Sequence, residues 1–411
     1  MEEWIKGILD KARGPAERGL CDRCLGRMFG KLGTGMTNDV RGKKIREALS
    51  EAGKTAPASE TCSLCENVFD MMNRFAASAA EKIRCVESDD FLVGSRVEPE
   101  ISDREKSLWE EYGLDNAEAI KTELNREIGK LVLPLVNRRV EFKNPQIVAC
   151  IDTRFADVVL DIAPIFISGR YTKNSREIPQ TIWPCRSCKG RGCERCGGTG
   201  KMYRTSVQEI IGDIALEMSG GEEHFFHGMG REDIDARMLG DGRPFVLEIS
   251  RPKIRNIDLE ELGRRANISD LAGYARLQPA ARETVQRYKC ADPDKTYKAR
   301  VRVDGKVNKA RLNEVALSFK NVCIDQRTPH RVEHRRADLV RKREIRWVEA
   351  EIIGDDVFDL TLNAESGTYI KEFVSGDGGR TNPSFSGVLG AQCAVETLDV
   401  TAINYQEPMR D

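Results

Sequence analysis

Histidine is scarce in this chain, with four in 411 residues, so acid–base chemistry falls to Asp, Glu, Tyr or Lys. His224 and His227 of HFFH have no cysteine or third histidine nearby to complete a metal set. No apolar run approaches the roughly 20 residues that span a bilayer. The start, MEEWIKGILDKARG, is acidic and lacks the apolar core of a secretory signal. A cytoplasmic protein is expected. Nucleotide-loop glycines are missing as well: GGTGK (Gly197 to Lys201) resembles a phosphate loop, but Arg195 stands where glycine is needed and Met202 where Ser or Thr is needed. No GxGxxG joins a strand to a helix, which removes the fingerprint of dinucleotide or methyl-donor binding. The chain is not a polycation either, since its net charge is −1. Nucleic-acid contact would therefore depend on charge gathered locally.

Cysteine, by contrast, is plentiful. Eight of the thirteen cysteines fall into four CxxC pairs, and paired thiols in a reducing compartment more often bind metal than form disulfides. PCRSCKGRGCERCGGTGK brings Cys185, Cys188, Cys193 and Cys196 close together among glycines. Four thiolates with tetrahedral geometry suit a structural zinc; the alternative is reduced thiols on a turn-rich connector. Cys21 and Cys24 are separated from Cys62 and Cys65 by a stretch longer than a usual zinc ribbon, so the intervening chain must fold back to close a second zinc site. NDVRGKKIREALSEAG reads as a helix that does so, with Asn38 or Asp39 near its N-cap and Gly53 at its end. Cys85, Cys150, Cys290, Cys323 and Cys393 stand singly and are read as buried small hydrophobes.

The length exceeds the usual ceiling of about 250 to 300 residues for one core, so more than one domain is expected. A helical region stapled by the first cysteines is followed by FLVGSRVEPEI as a strand and a turn-forming proline. Helical spacing then runs from a Ser102 cap, and β-branched strands run through EFKNPQIVACIDTRFADVVLDIAPIFISGRY. After the second cysteine set, SVQEIIGDIALEMSGG reads as a helix capped by Ser206 and stopped by glycine. Phe225 to Ile249 reads as strand, turn, strand, with Gly240-Asp241-Gly242 as the turn. YKARVRVDGKV, WVEAEII and VFDLTLNAES are further strands, and a helix is expected near Asn308 to Phe319.

GMGREDIDARMLGDGRPFVLEI concentrates charge. If its first part is a strand, Asp233 and Asp235 share a face, as do Arg231 and Arg237. Such a cluster is either a solvent-facing salt-bridge network or a site where arginines keep one aspartate ionised for nucleophilic work. RTPHRVEHRRADLVRKREIR (Arg327 to Arg346) is the most basic segment and reads as either a solvated face or a phosphate-contacting arm.

KTYKA (Lys295 to Ala299) and GTYIK (Gly367 to Lys371), with GRED (Gly230 to Asp233), resemble the three signatures of RNA pseudouridine synthases. IPQTIWPCRSCKGRGCERCGGTGK, GSRVEPEI, LNREIGK and RTPHRVEHRRAD extend the likeness over nearly the whole chain, to the archaeal tRNA pseudouridine synthases of positions 54 and 55 in the TΨC arm. The resemblance implies an α/β (α+β) fold: a mixed-sheet catalytic domain over 205–411 and an N-terminal zinc-containing, THUMP-type RNA-binding half. That half divides into a helical zinc region at 1–70 and a THUMP-type module at 71–182, with a zinc knuckle connector at 183–204. It also implies a monomer that isomerises uridine in tRNA, off the membrane and without an organic cofactor. Asp233 is then the catalytic aspartate, and Asp235 a structural or RNA-facing partner. Tyr297 lies against the flipped base, Tyr369 and Arg231 contact substrate, Ile370 packs beneath the base and Lys371 pairs with Asp233. Lysine at that last position departs from the arginine common in the family, keeping the charge without the bidentate fork. A zinc-containing RNA-binding protein without catalysis is the second reading; a THUMP-linked methyltransferase or thiolation enzyme would need cofactor fingerprints that are missing.

Overall fold

The computed structural model describes residues 2–54 and 58–406. The chain divides into two compact units, Met1–Pro164 with Arg251–Arg255, and Ile165–Ser250 with Asn256–Asp411. Among the described residues no helix is long and apolar enough to cross a membrane.

The first unit opens with helices α1 (Glu3–Lys6), α2 (Leu9–Glu17), α3 (Asp22–Arg27) and α4 (Asn38–Glu51). The fold-back expected of the cysteine spacing is present: α4 returns across α3, and Cys21, Cys24, Cys62 and Cys65 gather into one cluster. Glycine makes that crossing possible. A Cβ on Gly26 would lie 1.8 Å from the Asn38 carbonyl oxygen, and one on Gly42 1.8 Å from that of Asp22. Arg27, fully buried on α3, pairs with Glu105 and donates to Cys24 Sγ at 3.7 Å. The rest of the unit is α5 (Met72–Arg84), β1 (Asp90–Arg96), α6 (Pro99–Tyr112), α7 (Ile120–Val136), β2 (Arg139–Val140), β3 (Ile147–Asp152) and β4 (Asp157–Ile162). The strands form a sheet in the order β2-β1-β3-β4. Phe75, Ala79 and Ile83 of α5 and Leu124, Ile128 and Val132 of α7 belong to the same core cluster as Ile147, Ala149 and Ile151 of β3. Pro99 does not end a strand in a turn; it occupies the first helical turn of α6, where its missing N–H is harmless. Ser102 is accordingly inside that helix.

The second unit comprises β5 (Ile165–Lys173), α8 (Val207–Ser219), β6 (His224–Gly228), β7 (Ala236–Ile249), α9 (Leu259–Ala266), β8 (Ala272–Ala280), α10 (Arg282–Cys290) and β9 (Lys295–Val303). It continues through α11 (Lys309–Ser318), β10 (Val322–Arg327), β11 (Val340–Ile352), β12 (Val357–Ala364), α12 (Ile370–Ser375), β13 (Thr381–Asn382), α13 (Phe385–Leu389) and β14 (Cys393–Ile403). These strands make one mixed sheet in the order β13-β10-β11-β12-β9-β14-β7-β5-β8, with β6 added on β7. β5, grouped by the strand pattern with the preceding module, belongs to this sheet. The capping prediction for α8 holds: Ser206 accepts from the Glu209 N–H at 3.2 Å, and Gly220 closes the helix at φ +62.

The expected hairpin is corrected. Gly240 and Gly242 do not turn the chain; they lie inside β7 at φ +61 and +75. A Cβ there would meet the Thr401 carbonyl oxygen at 2.1 Å and the Tyr171 carbonyl oxygen at 2.6 Å. They allow a bulge: β7 pairs with β14 over Ala236–Met238, and with β5 at Met238 and again from Arg243 onward. The turn between β6 and β7 is residues 229–235, and GRED lies in it. Strand alternation therefore does not orient Asp233 and Asp235. Arg237, on β7, is held away from them by Asp399 at 2.7 Å. The lone cysteines differ too: Cys85, Cys290 and Cys323 are exposed, and Cys393 is buried. On β10 the alternation turns Ile324 and Gln326 inward, which leaves Cys323 outward.

Gly42→Ala should lower the unfolding free energy by about 3 kcal/mol, because the clash is with backbone that no rotamer change can clear. Gly129→Ala, in open space on α7, should raise it by roughly 0.5–1 kcal/mol. Denaturant melts of both variants check the pair.

Candidate active site

The turn 229–235 is built from beneath by buried polar side chains. Glu232, 1% exposed, pairs with Arg243, also 1% exposed, at 3.0 Å. Tyr171 donates its hydroxyl to Glu232 at 2.9 Å, and Gln180 reaches both the Tyr171 hydroxyl and the Gly230 carbonyl at 2.7 and 3.0 Å. Burial, reinforced by the Glu232 charge, pushes the Tyr171 phenol far above its ordinary range. Arg243 also donates to the Met229 carbonyl at 2.8 Å. Two positions along β5 from Tyr171, Lys173 is fully buried and donates to the carbonyls of Ile178, Asp233 and Ile234 at 3.2, 3.1 and 2.7 Å. Three ammonium donors meet three acceptors.

This framework lifts Asp233 into a cavity of about 330 Å³ lined by Gln180, Trp183, Tyr203, Arg231, Glu232, Asp233, Asp235, Arg331 and Lys371, among others. The Asp233 carboxylate is 39% exposed; Arg331 stands 3.2 Å from it and Lys371 4.0 Å. Lys371 makes its short contact with Asp235, at 2.7 Å. Burial opposes the charge on Asp235, but the hydrogen bond and charge of Lys371 outweigh it and hold the carboxyl below its usual range. Arg331 is shared with Glu372 at 2.7 Å, and its guanidinium lies over the Tyr369 ring.

Arg231, Asp233, Asp235 and Lys371 thus share one cavity, while Tyr297, Tyr369 and Ile370 stand outside its lining. Tyr297 is 8% exposed on β9; burial, against the opposing charge of Arg243, pushes its phenol up to about 12. Ile370 is buried as the first residue of α12, and Tyr369 receives a hydrogen bond from Arg336 at 2.9 Å. Sequence reasoning missed Tyr171, Lys173, Gln180, Trp183, Tyr203 and Arg243, and assigned Arg331 only to a basic run. A lysine two positions after a tyrosine in an otherwise apolar strand was the available signal for the first two. Members of the basic run are already paired: Arg327 with Asp338, and Arg346 with Glu344 and Asp294. The Arg335 side chain lies outside the described residues.

Both cysteine sets form tight clusters whose ligand atoms lie within 4.8 Å of one another. Cys21–Cys65, Cys185–Cys193 and Cys188–Cys196 are 3.9 Å apart, sulfur to sulfur, and Cys193–Cys196 is 3.7 Å. Those separations are far beyond a disulfide and match the edge of about 3.8 Å expected for sulfurs about 2.3 Å from a shared zinc. Backbone N–H groups of Cys24 and Gly200 point at Cys21 and Cys196 sulfur, as thiolate ligands require. The donor set therefore fits a tetrahedral metal at both places.

Burial pulls Lys173 down to about 8 from 10.5, against the carboxylates of Glu232, Asp235 and Asp233. The unfolded chain then holds the extra proton between those values, so the cost of burying the ammonium is fully present below pH 8 and is relieved as pH rises toward 10.5. Unfolding free energies of the wild type and Lys173→Met, compared across pH 8 to 10, should diverge in favour of the wild type. Parallel curves would contradict the assignment.

Residues 166–404 match the family model "Pus10, C-terminal" and residues 75–152 the model "Pus10 THUMP domain, archaeal". The chain is 40% identical to the tRNA pseudouridine synthase Pus10 of Methanothermobacter marburgensis, over 98% of each chain. It is 38% identical to that of Methanothrix thermoacetophila, over 93% of this chain and 91% of the relative. A crystal structure of a Cbf5-Nop10-Gar1 complex aligns with a TM-score of 0.30 at 18% identity, over 48% of this chain and 45% of that one. The chain belongs to the Pus10 family of tRNA pseudouridine synthases.

Proposed function

We propose that this protein isomerises uridine to pseudouridine at positions 54 and/or 55 in the TΨC arm of tRNA, with Asp233 as nucleophile. The carrying observation is the presentation of Asp233 at the cavity mouth, between Arg331 and the Lys371 of GTYIK, by a turn anchored from below. The reaction breaks the bond from ribose C1′ to uracil N1, turns the base and rejoins C1′ to C5, with the C5 proton released and one taken up at N1. It is redox-neutral and needs one carboxylate at C1′ or the ring. The target uridine must leave its stack, at a cost of a few kcal/mol. In this reading Tyr297 lies against the everted base over Ile370, Tyr369 and Arg231 contact the RNA, and Lys371 with Arg331 orients Asp233. The exposed part of the basic segment, with Arg336, meets phosphates. The THUMP-type module adds RNA contact, and the protein works as a cytoplasmic monomer. Both cysteine clusters hold structural zinc, which shapes the fold and takes no part in the chemistry.

Asp233→Asn should reduce tritium release from C5-labelled uridine in tRNA by more than about 10³-fold, the scale of losing a nucleophile, while tRNA binding changes little. Unchanged release would support the second reading, an RNA-binding protein without catalysis.

Elemental analysis should return about two zinc ions per chain. Cys185→Ser should lower that to about one and loosen the knuckle, and Cys62→Ser should do the same at the other site with a larger loss of stability, because Cys62 is fully buried in a core cluster.

A further inference from the structure

The 330 Å³ cavity that holds Asp233 has an aromatic wall outside GRED, KTYKA and GTYIK. Trp183 and Tyr203 line it with rings edge to face, 5.7 Å between centroids. Trp is rare here, four in the chain, and an aromatic of that size is ordinarily placed in a core. Neither ring belongs to a core cluster of its unit, and both are half-exposed. Their position is fixed by backbone: the Met202 N–H donates to the Trp183 carbonyl at 2.9 Å, and the Cys185 N–H to that of Gly200. The cysteine knuckle thus hangs from an isolated antiparallel bridge, Pro184 with Lys201, that lies between the two rings in sequence. Arg231 lies over Trp183 at 5.8 Å and, among the described residues, forms no ion pair. Half-exposed aromatics beside an unpaired guanidinium make a stacking surface with a phosphate contact alongside.

We infer that Trp183, Tyr203 and Arg231 form a second nucleobase subsite, which stacks an unpaired base neighbouring the uridine presented to Asp233. The inference rests on the RNA-modifying reading above. Everting one base deprives its neighbours of a stacking partner, and an aromatic wall within the same cavity supplies a replacement.

The test uses full-length wild type, Trp183→Leu and Trp183→Phe, with circular dichroism confirming the fold, and an unmodified tRNA transcript as ligand. Trp183→Leu should raise KM by about 5- to 100-fold, the range for one lost base stack, with kcat changed far less, and Trp183→Phe should recover most of that loss. Binding of the transcript should quench tryptophan fluorescence in the wild type and markedly less in Trp183→Phe. A KM for Trp183→Leu within two-fold of wild type, or equal quenching in wild type and Trp183→Phe, overturns the subsite. If the wild type shows the Trp183-dependent quench and Trp183→Leu weakens transcript binding to the same extent, yet no pseudouridine forms, the subsite stands and the reaction assigned to Asp233 falls.

Discussion

The Glu232–Arg243 ion pair, almost wholly removed from water, is the constraint on which the candidate site depends. Breaking such a pair leaves a bare buried charge at a cost of about 3–5 kcal/mol, so the turn cannot lift away from the sheet without severing an interaction of that size. Tyr171 donates to Glu232, and Gln180 in turn donates to the Tyr171 hydroxyl and to the Gly230 carbonyl. The adjacent residue, Asp233, is consequently presented from a rigid base although it sits in a loop. Lys173 completes the arrangement by binding the carbonyls of Asp233 and Ile234, so the backbone on both sides of the carboxylate is fixed. A reactive group needs that positioning more than it needs an unusual environment of its own.

Glycine at two places in β7 is the second requirement. Arg243 can reach back to Glu232 only because β7 bulges at Gly240 and Gly242, where the backbone closes on Thr401 and Tyr171. Before the bulge Met238 lies between β14 and Lys173 of β5; after it Arg243 lies opposite Tyr171 of β5. The same irregularity sets Tyr171 opposite Arg243 and Lys173 opposite Met238, and so aligns the side chains that support the turn.

Elements with strong local rules were legible in the sequence. The Ser206 cap and Gly220 stop of α8, the strands β9, β11 and β12, and both cysteine clusters follow from periodicity, capping and thiol spacing. The turn 229–235 was misread because its charges recur two residues apart, which imitates strand alternation, and because Gly240-Asp241-Gly242 has hairpin composition. Deciding between a turn and a bulge requires the partner strands, which are distant in sequence. Arg331 was hidden for another reason: inside a run of like charges no single member is marked, and the contact with Asp233 depends on the 3-10 turn at His330–Arg335. Trp183 and Tyr203 flank the knuckle, and neither spacing nor charge ties them to Asp233.

A carboxylate-rich pocket would ordinarily repel a polyanion, and the chain as a whole carries −1. Local pairing removes the difficulty. Glu232 is matched by Arg243, Asp235 by Lys371, and Asp233 with Glu372 by Arg331, while Arg231, among the described residues, has no carboxylate of its own. Beyond a Debye length of about 8 Å at physiological salt, more distant acids are screened, so an approaching phosphate senses the mouth of the cavity and not the net charge of the protein. Arg231 then supplies the fourth cation against these four carboxylates. Its removal would leave those four carboxylates facing three cations, a net negative mouth that repels an approaching phosphate.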